Sequence, residues 1–271
     1  MIDILLATYN GEKYLRAQID SIFAQTYTDW RLVIRDDCSS DGTPAIIQEY
    51  ATQYADKIVV IDNGNINIGA TLSFAKLIEF SSAKYMMLCD QDDVWLEDKV
   101  ELSIATIQEK EKDHTSNTPV LLFTDLKVVD ENLNVLHDSF WRHQKYILNV
   151  ISDYRKLLAL NVVTGCTTIF NQASKRVVLP MPADFVHDMW IAINVAYYGK
   201  LYSIDKPTIL YRQHSSNTVG AHKIGFSYFK SKLNFEKLKI YFKLKNSLPF
   251  KISLCSFFAY KLYFSACRIL K

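Results

Sequence analysis

Four short apolar runs, separated by segments of helical period and mostly closed by polar clusters, constrain this chain more than any other feature. Ile2–Ala7 suits a buried strand, and Gly11–Ala24 then repeats Leu15, Ile19, Ile22 and Phe23 at helical spacing. Arg31–Asp37 reads as a second strand, Ser39–Thr43 as a turn and helix start, and Ile46, Ile47, Tyr50 and Tyr54 as one helix face. Ile58–Asp62 is a third strand, Asn67-Ile68-Gly69 leads into a helix through Phe74, Leu77 and Ile78, and Tyr85–Cys89 is a fourth strand. Such alternation predicts an α/β fold of right-handed βαβ units: a Rossmann-like, mostly parallel sheet with helices on both faces. Ligands of such sheets bind beyond the carboxyl ends of the strands. Thr8-Tyr9-Asn10, Asp36-Asp37 and Asp90-Gln91-Asp92-Asp93 all fall there.

The second half is less regular. Val120–Thr124 and Lys127–Val129 read as strands before a turn at 130–134, Val163–Phe170 as a Thr-rich strand, Met189–Tyr198 as a helix and Thr208–His214 as a strand. From Ile224 onward aromatics and lysines interleave in helix-permissive sequence that breaks at Pro249, which predicts C-terminal helices. A boundary is expected between a domain at 1–221 and a basic tail at 222–271.

Charge separates these parts. Residues 222–271 hold eleven Lys or Arg and one acid, Glu236, about +10, which leaves the rest of a +2 chain at about −8. With 271 residues, 49% hydrophobic and 22% charged, the chain can bury a sizeable core and is neither disordered nor fibrous. Five cysteines without a CxxC pair suggest neither a disulfide framework nor a zinc site. Met1-Ile2-Asp3-Ile4 lacks the basic start of a secretion signal, and no apolar stretch approaches the ~20 residues of a spanning helix. A cytoplasmic protein is expected.

Asp90 and Asp92 are two carboxylates at i and i+2 behind a buried strand, able to converge on one hard cation such as Mg²⁺ or Mn²⁺ that keeps positions for phosphate. Asp37 can accept hydrogen bonds from a nucleobase or ribose; Asp41 or Ser40 can fill the competing role of helix cap. No GxGxxG or Walker A sequence is present, which speaks against a dinucleotide oxidoreductase or P-loop NTPase.

Three segments in order, LLATYNGEKYL (5–15), IRDDCSSDGT (34–43) and LCDQDDVW (88–95), resemble family 2 glycosyltransferases of the GT-A fold. TGCTTIFN (164–171), FVHDMW (185–190) and YRQHSSNTVGA (211–221) resemble the members that transfer L-rhamnose from dTDP-L-rhamnose in bacterial O-antigen, capsule or cell-wall polysaccharide synthesis. The resemblance implies that Ala7, Thr8, Tyr9 and Asn10 line the nucleotide pocket, that Asp37 meets the pyrimidine, and that Asp90 and Gln91 lie at the ribose and donor. It places a metal on Asp92 and His214 and the catalytic base at Asp188. The implied reaction is inverting and metal-dependent, with a glycan or lipid-linked glycan as acceptor. His187 is read as a helix cap beside the base, Trp95 and Trp190 as core or pocket walls, and Cys89 and Cys166 as small buried hydrophobes.

A UDP-hexose donor on the same fold stays open. So, less favourably, do a sugar nucleotidyltransferase, which would need a Gly- and Lys/Arg-rich loop after the first strand, and a silent sugar-binding module. For the tail, a basic and aromatic segment suits an anionic bilayer surface better than nucleic acid, given the acidic body. The chain is therefore expected to sit peripherally on the inner face of the cytoplasmic membrane.

Overall fold

The computed structural model describes residues 1–214, 248, 250–251 and 253–270. Its first half alternates as the periodicity requires: β1 (Ile2–Thr8), α1 (Leu15–Phe23), β2 (Trp30–Asp36), α2 (Thr43–Gln53), β3 (Ile58–Val60), α3 (Gly69–Phe80) and β4 (Tyr85–Cys89). There follow β5 (Val94–Trp95), α4 (Lys99–Glu111), β6 (Val120–Val129), β7 (Val135–His137), α5 (Phe140–His143), α6 (Tyr154–Ala159), β8 (Thr168–Asn171), α7 (Gln172–Val178), α8 (His187–Tyr198), β9 (Lys200–Arg212) and α9 (Leu254–Leu270). The strands form one sheet in the order β3-β2-β1-β4-β8-β6-β9-β5, with β7 paired to β6.

β1 is parallel to both β2 and β4, and β2 to β3. β4 and β8 run antiparallel, as do β8 and β6, while β6 and β9 are parallel. Alternate strand positions serve opposite faces. Leu5, Val33, Met86 and Leu88 join Phe74, Leu77 and Ile78 of α3 and Trp190, Ile191 and Ile193 of α8 in one core. Ile4, Leu6, Leu32, Ile34 and Met87 join Ile19 and Ile22 of α1, Ile46 and Ile47 of α2, and Val100, Ile104 and Ile107 of α4 in the other. Both faces are covered, which explains why β1 and β4 read as continuous apolar runs.

Several boundaries differ from the sequence reading. The two strands expected at 120–129 are one, whose pairing with β9 shifts register on either side of Asp125. Bulges of this kind bend a strand and re-aim its side chains. The strand expected to open at Val163 begins at Thr168, after a 3₁₀ turn at Gly165–Thr167. β9 is longer than expected, starting at Lys200. Its end pairs antiparallel with β5, Val94 opposite Leu210 and Trp95 opposite Ile209, which returns Arg212 and His214 to the acidic loop.

The expected boundary near 221 and the lysines from Lys230 to Lys245 lie outside the described residues. α9 belongs to the segment expected as a tail, and it packs on the body: Phe257 and Phe264 are buried, and the Arg268 guanidinium donates to Gln144 O at 2.7 and 3.0 Å. No helix among the described residues is long and apolar enough to cross a membrane.

Candidate active site

The site lies where β1, β2 and β4 end. Gln91 pairs with the backbone of Tyr9 in both directions: Tyr9 N–H donates to Oε1 at 2.8 Å, and Nε2 donates to Tyr9 O at 2.9 Å. A Cβ on Gly11 would stand 2.3 Å from that Oε1, so glycine is what lets the two loops close. Asn10, in the left-handed region at φ 48°, donates its N–H to Ser39 Oγ and accepts the N–H of Ser40 on Oδ1. Of the expected pocket-lining residues, Tyr9 and Asn10 are exposed at this edge and Ala7 is half-buried. Thr8 is buried, its hydroxyl donating to Asp36 Oδ1 at 2.8 Å. Gln91, expected at the donor, has its amide committed to Tyr9.

Asp37 is buried as well. Its Oδ1 accepts from Arg35 at 2.6 Å and Ile68 N–H at 2.9 Å, and its Oδ2 accepts from Gly69 N–H at 2.7 Å. Gly69 adopts φ 80°, a left-handed geometry that glycine enters without strain. Burial alone would raise the Asp37 pKa; the Ile68, Arg35 and Gly69 donors outweigh it and hold the carboxyl below its ordinary range. Asp37 thus anchors the loop into α3. The N-cap of α2 is Gly42 rather than the expected Asp41 or Ser40; Asp41, one residue before it, accepts Thr43 N–H at 3.0 Å.

After β4, acidic groups converge. Asp90 keeps some surface open, but burial first, and then the charges of Asp92 and Asp188, push its pKa up to about 7. Asp93 is fully buried; burial and then Asp92 and Asp90 push it well above the carboxylate range. Its Oδ1 accepts Arg212 N–H at 3.1 Å, whereas its Oδ2 meets no hydrogen-bond partner among the described residues. Carboxylate oxygens of Asp90 and Asp93 and the Cys166 sulfur lie within 4.8 Å of one another. Asp92 Oδ2 lies 2.9 Å from His214 Nε2, and the His214 ring packs tilted against Tyr14 with centroids 4.8 Å apart.

These residues fit a divalent cation. Crowded carboxylates with one buried, unpartnered oxygen are costly without a counter-charge, and oxygens with one imidazole suit Mg²⁺ or Mn²⁺. The Cys166 thiol is pushed up by burial and then by Asp93 and Asp90, so it stays protonated and is a poor ligand.

Asp188 lies in the first turn of α8. Burial pushes its pKa up to about 6, against the opposing pull of the Met189 and Gly165 N–H groups. His187 is not the cap expected for it: it is the first residue of α8, and its ring packs on Phe74 at 4.2 Å. Burial pushes His187 down to about 4, so it is neutral at physiological pH. A Cβ on Gly165 would stand 2.7 Å from His187 Nε2.

The sequence places Asp93 in the acidic cluster but assigns no role to it or to Gly11, Gly165 and Arg212. Arg212 Nε donates to Asp92 O at 2.8 Å and its NH1 group to Glu131 O at 2.6 Å, and the guanidinium lies over the Tyr14 ring at 4.5 Å. Their signal was present inside the quoted motifs, but the contacts span elements. The expected minor roles of Trp95, Trp190, Cys89 and Cys166 agree with their burial.

A sheet that reverses at β8 and gathers carboxylates at its strand ends is the architecture of a GT-A nucleotide-sugar transferase. Residues 3–156 match the family model for glycosyl transferase family 2, and the chain belongs to that family. It is 28% identical over 252 residues to the dTDP-rhamnosyl transferase RfbG of Shigella flexneri, covering 88% of this chain and 81% of that protein. It is 25% identical over 197 residues to the Escherichia coli UDP-Glc:alpha-D-GlcNAc-diphosphoundecaprenol beta-1,3-glucosyltransferase WfgD, covering 71% and 69%. Among solved structures, S. aureus TarS 1-349 in complex with UDP-GlcNAc superposes with a TM-score of 0.61 at 16% identity, covering 91% of this chain and 74% of that one. The mannosyltransferase PcManGT from Pyrobaculum calidifontis, in complex with GDP-Man and Mn²⁺, superposes with a TM-score of 0.58 at 14% identity, covering 82% and 58%.

Proposed function

We propose that this glycosyltransferase moves L-rhamnose from dTDP-β-L-rhamnose to a glycan or lipid-linked glycan in bacterial surface polysaccharide synthesis, inverting the anomeric centre. The observation that carries a transfer reaction is the single half-buried carboxylate of Asp188 at the start of α8, close enough to the Asp90–Asp93 cluster to raise the Asp90 pKa. The likeness to RfbG over most of both chains supports rhamnose as the sugar.

Asp188 removes the proton of an acceptor hydroxyl. The hydroxyl oxygen bonds to the anomeric carbon as the bond from that carbon to the diphosphate oxygen breaks, and the diphosphate leaves with the electron pair. A pKa near 6 leaves the carboxylate ionised at neutral pH yet more basic than an exposed aspartate. A divalent cation on Asp90, Asp92, Asp93 and His214 would neutralise charge on the departing diphosphate. Gln91 and Gly11 hold the β1 and β4 loops in register, and Asp37 fixes the loop entering α3. The chain works as a peripheral protein at an anionic membrane surface, where a lipid-linked acceptor is presented.

A UDP-hexose donor is the second reading, favoured by the likeness to WfgD. Nucleoside diphosphate release from a panel of nucleotide sugars, with acceptor glycans and Mn²⁺, separates the two. Turnover of dTDP-rhamnose supports the first, and turnover of UDP-hexoses with none of dTDP-rhamnose replaces it with the second.

A further inference from the structure

α9 has two apolar sides, and among the described residues only one is covered. Phe257 and Phe264 enter the core beside α6, Lys261 Nζ donates to Ala159 O at 2.9 Å, and Arg268 is fastened to Gln144 O. These contacts, spread along the helix, fix which side faces out. The outward side carries Ala259, Leu262, Tyr263, Ala266, Ile269 and Leu270, with no charged residue among them. Leu262 is 55% and Tyr263 61% exposed. The spacing, steps of three and four with two adjacent pairs, makes one continuous stripe along a 17-residue helix about 25 Å long.

We infer that this stripe is the face by which the chain lies on an anionic lipid bilayer, the apolar side chains entering the headgroup boundary with the helix parallel to the surface. The inference rests on the proposal that the chain works at a membrane, and adds which surface makes the contact. Charge complementarity decides the occupant. The segment from 222 onward carries eleven basic residues and one acid. A second copy seated on the same stripe would bring two such segments together, each about +10, whereas an anionic surface attracts each nearby lysine by about 1 kcal/mol. The apolar stripe gives the helix something to insert, and its anchorage to the body forbids it from turning inward. Because α6 packs against both α9 and α8, the helix that bears Asp188, docking on this face would set how Asp188 is presented to a lipid-linked acceptor.

The test is sedimentation of the full chain with vesicles of phosphatidylcholine containing phosphatidylglycerol, against phosphatidylcholine alone. Leu262→Glu/Ile269→Glu is compared with wild type, and nucleoside diphosphate affinity serves as the control for folding. Wild type is expected on the anionic vesicles, and the double variant to lose about tenfold or more of that partition with its nucleotide affinity unchanged. Leu262→Trp supplies a second readout: relative to wild type, it should gain an emission component that shifts to the blue and is quenched by brominated lipid on anionic vesicles. Wild type binding with the double variant undiminished and the emission of the Leu262→Trp variant unmoved would overturn the face and leave the membrane proposal standing. Wild type failing on both vesicle types overturns both. A wild-type dimer that the double variant dissociates, with lipid binding unaltered, assigns the stripe to a second copy instead.

Discussion

His214 Nε2 and Asp92 Oδ2 meet at 2.9 Å although 122 residues separate them, because β9 pairs with β5 immediately beyond the acidic loop. The pair stands beside Asp90 and Asp93, so a cation there would draw on both halves of the chain. Asp92→Asn and His214→Ala are each expected to weaken Mn²⁺ binding about tenfold or more, as loss of even an outer-shell partner does at metal sites. Calorimetric titration of Mn²⁺ with nucleoside diphosphate present checks this, and unchanged affinity in both variants removes the cation from this corner.

Asp188 and His187 are adjacent but titrate in opposite directions. Burial pushes the acid up to about 6 and the histidine down to about 4. Turnover is therefore expected to fall as pH drops through about 6, where Asp188 takes up its proton and stops acting as a base. A limb near pH 4 with none near 6 would point away from Asp188. Gly165→Ala, whose new Cβ would press on His187, should lower kcat while sparing nucleotide affinity.

The Tyr9–Gln91 clasp gives a test by non-additivity. Gly11→Ala places a methyl group 2.3 Å from Gln91 Oε1, and the clasp must open. In a Gln91→Ala background the obstacle is gone. Gly11→Ala is expected to weaken nucleotide binding clearly in the wild-type background and much less in the Gln91→Ala one, a coupling of about 0.5–3 kcal/mol for residues in contact. Additive effects in a double-mutant cycle would show that the loops are held by something else.

Lys99 is fully buried over the Trp95 ring at 4.7 Å, with no hydrogen-bond partner for Nζ among the described residues, and burial pulls its pKa down to about 8. Its charge is a cost to the fold at neutral pH. Lys99→Met should stabilise the protein by ~1–3 kcal/mol at pH 7. Above pH 8 the native lysine is neutral while the unfolded one still binds its proton, so wild-type stability rises with pH. The advantage of the variant should then shrink by about 1.4 kcal/mol per pH unit until the ordinary lysine value is reached. Denaturant melts at pH 7 and pH 9.5 check both; a destabilised variant at pH 7 would show that Lys99 is paired in solution.

The β1–β4 half of the fold is legible because β1, β2 and β4 are covered on both faces and each helix shows one apolar stripe. Asp125 interrupts the apolar run of β6, so the sequence predicts two strands; buried, it accepts from Ser139 Oγ and Trp141 N–H and so starts α5. Asp205-Lys206-Pro207 has the composition of a loop, so the sequence predicts a shorter β9, whereas that stretch crosses the register shifts of β6. α4 carries Val100, Ile104 and Ile107 at helical spacing, a helix signal present in the sequence. Within the site, the aspartates were recognisable by motif and position. The burial of Asp37 was not, since it depends on Arg35, Ile68 and Gly69 folding back on it, and neither was the unpartnered oxygen of Asp93.

The most direct test of a base-assisted, metal-dependent transfer is acceptor-dependent release of nucleoside diphosphate by wild type and Asp188→Asn, each with Mn²⁺ and with EDTA. Wild type should turn over only with Mn²⁺, and Asp188→Asn should fall by about 10²-fold or more in kcat with nearly unchanged donor affinity, the scale of a lost general base. Full wild-type turnover in EDTA, or near-normal turnover by Asp188→Asn, would contradict the account.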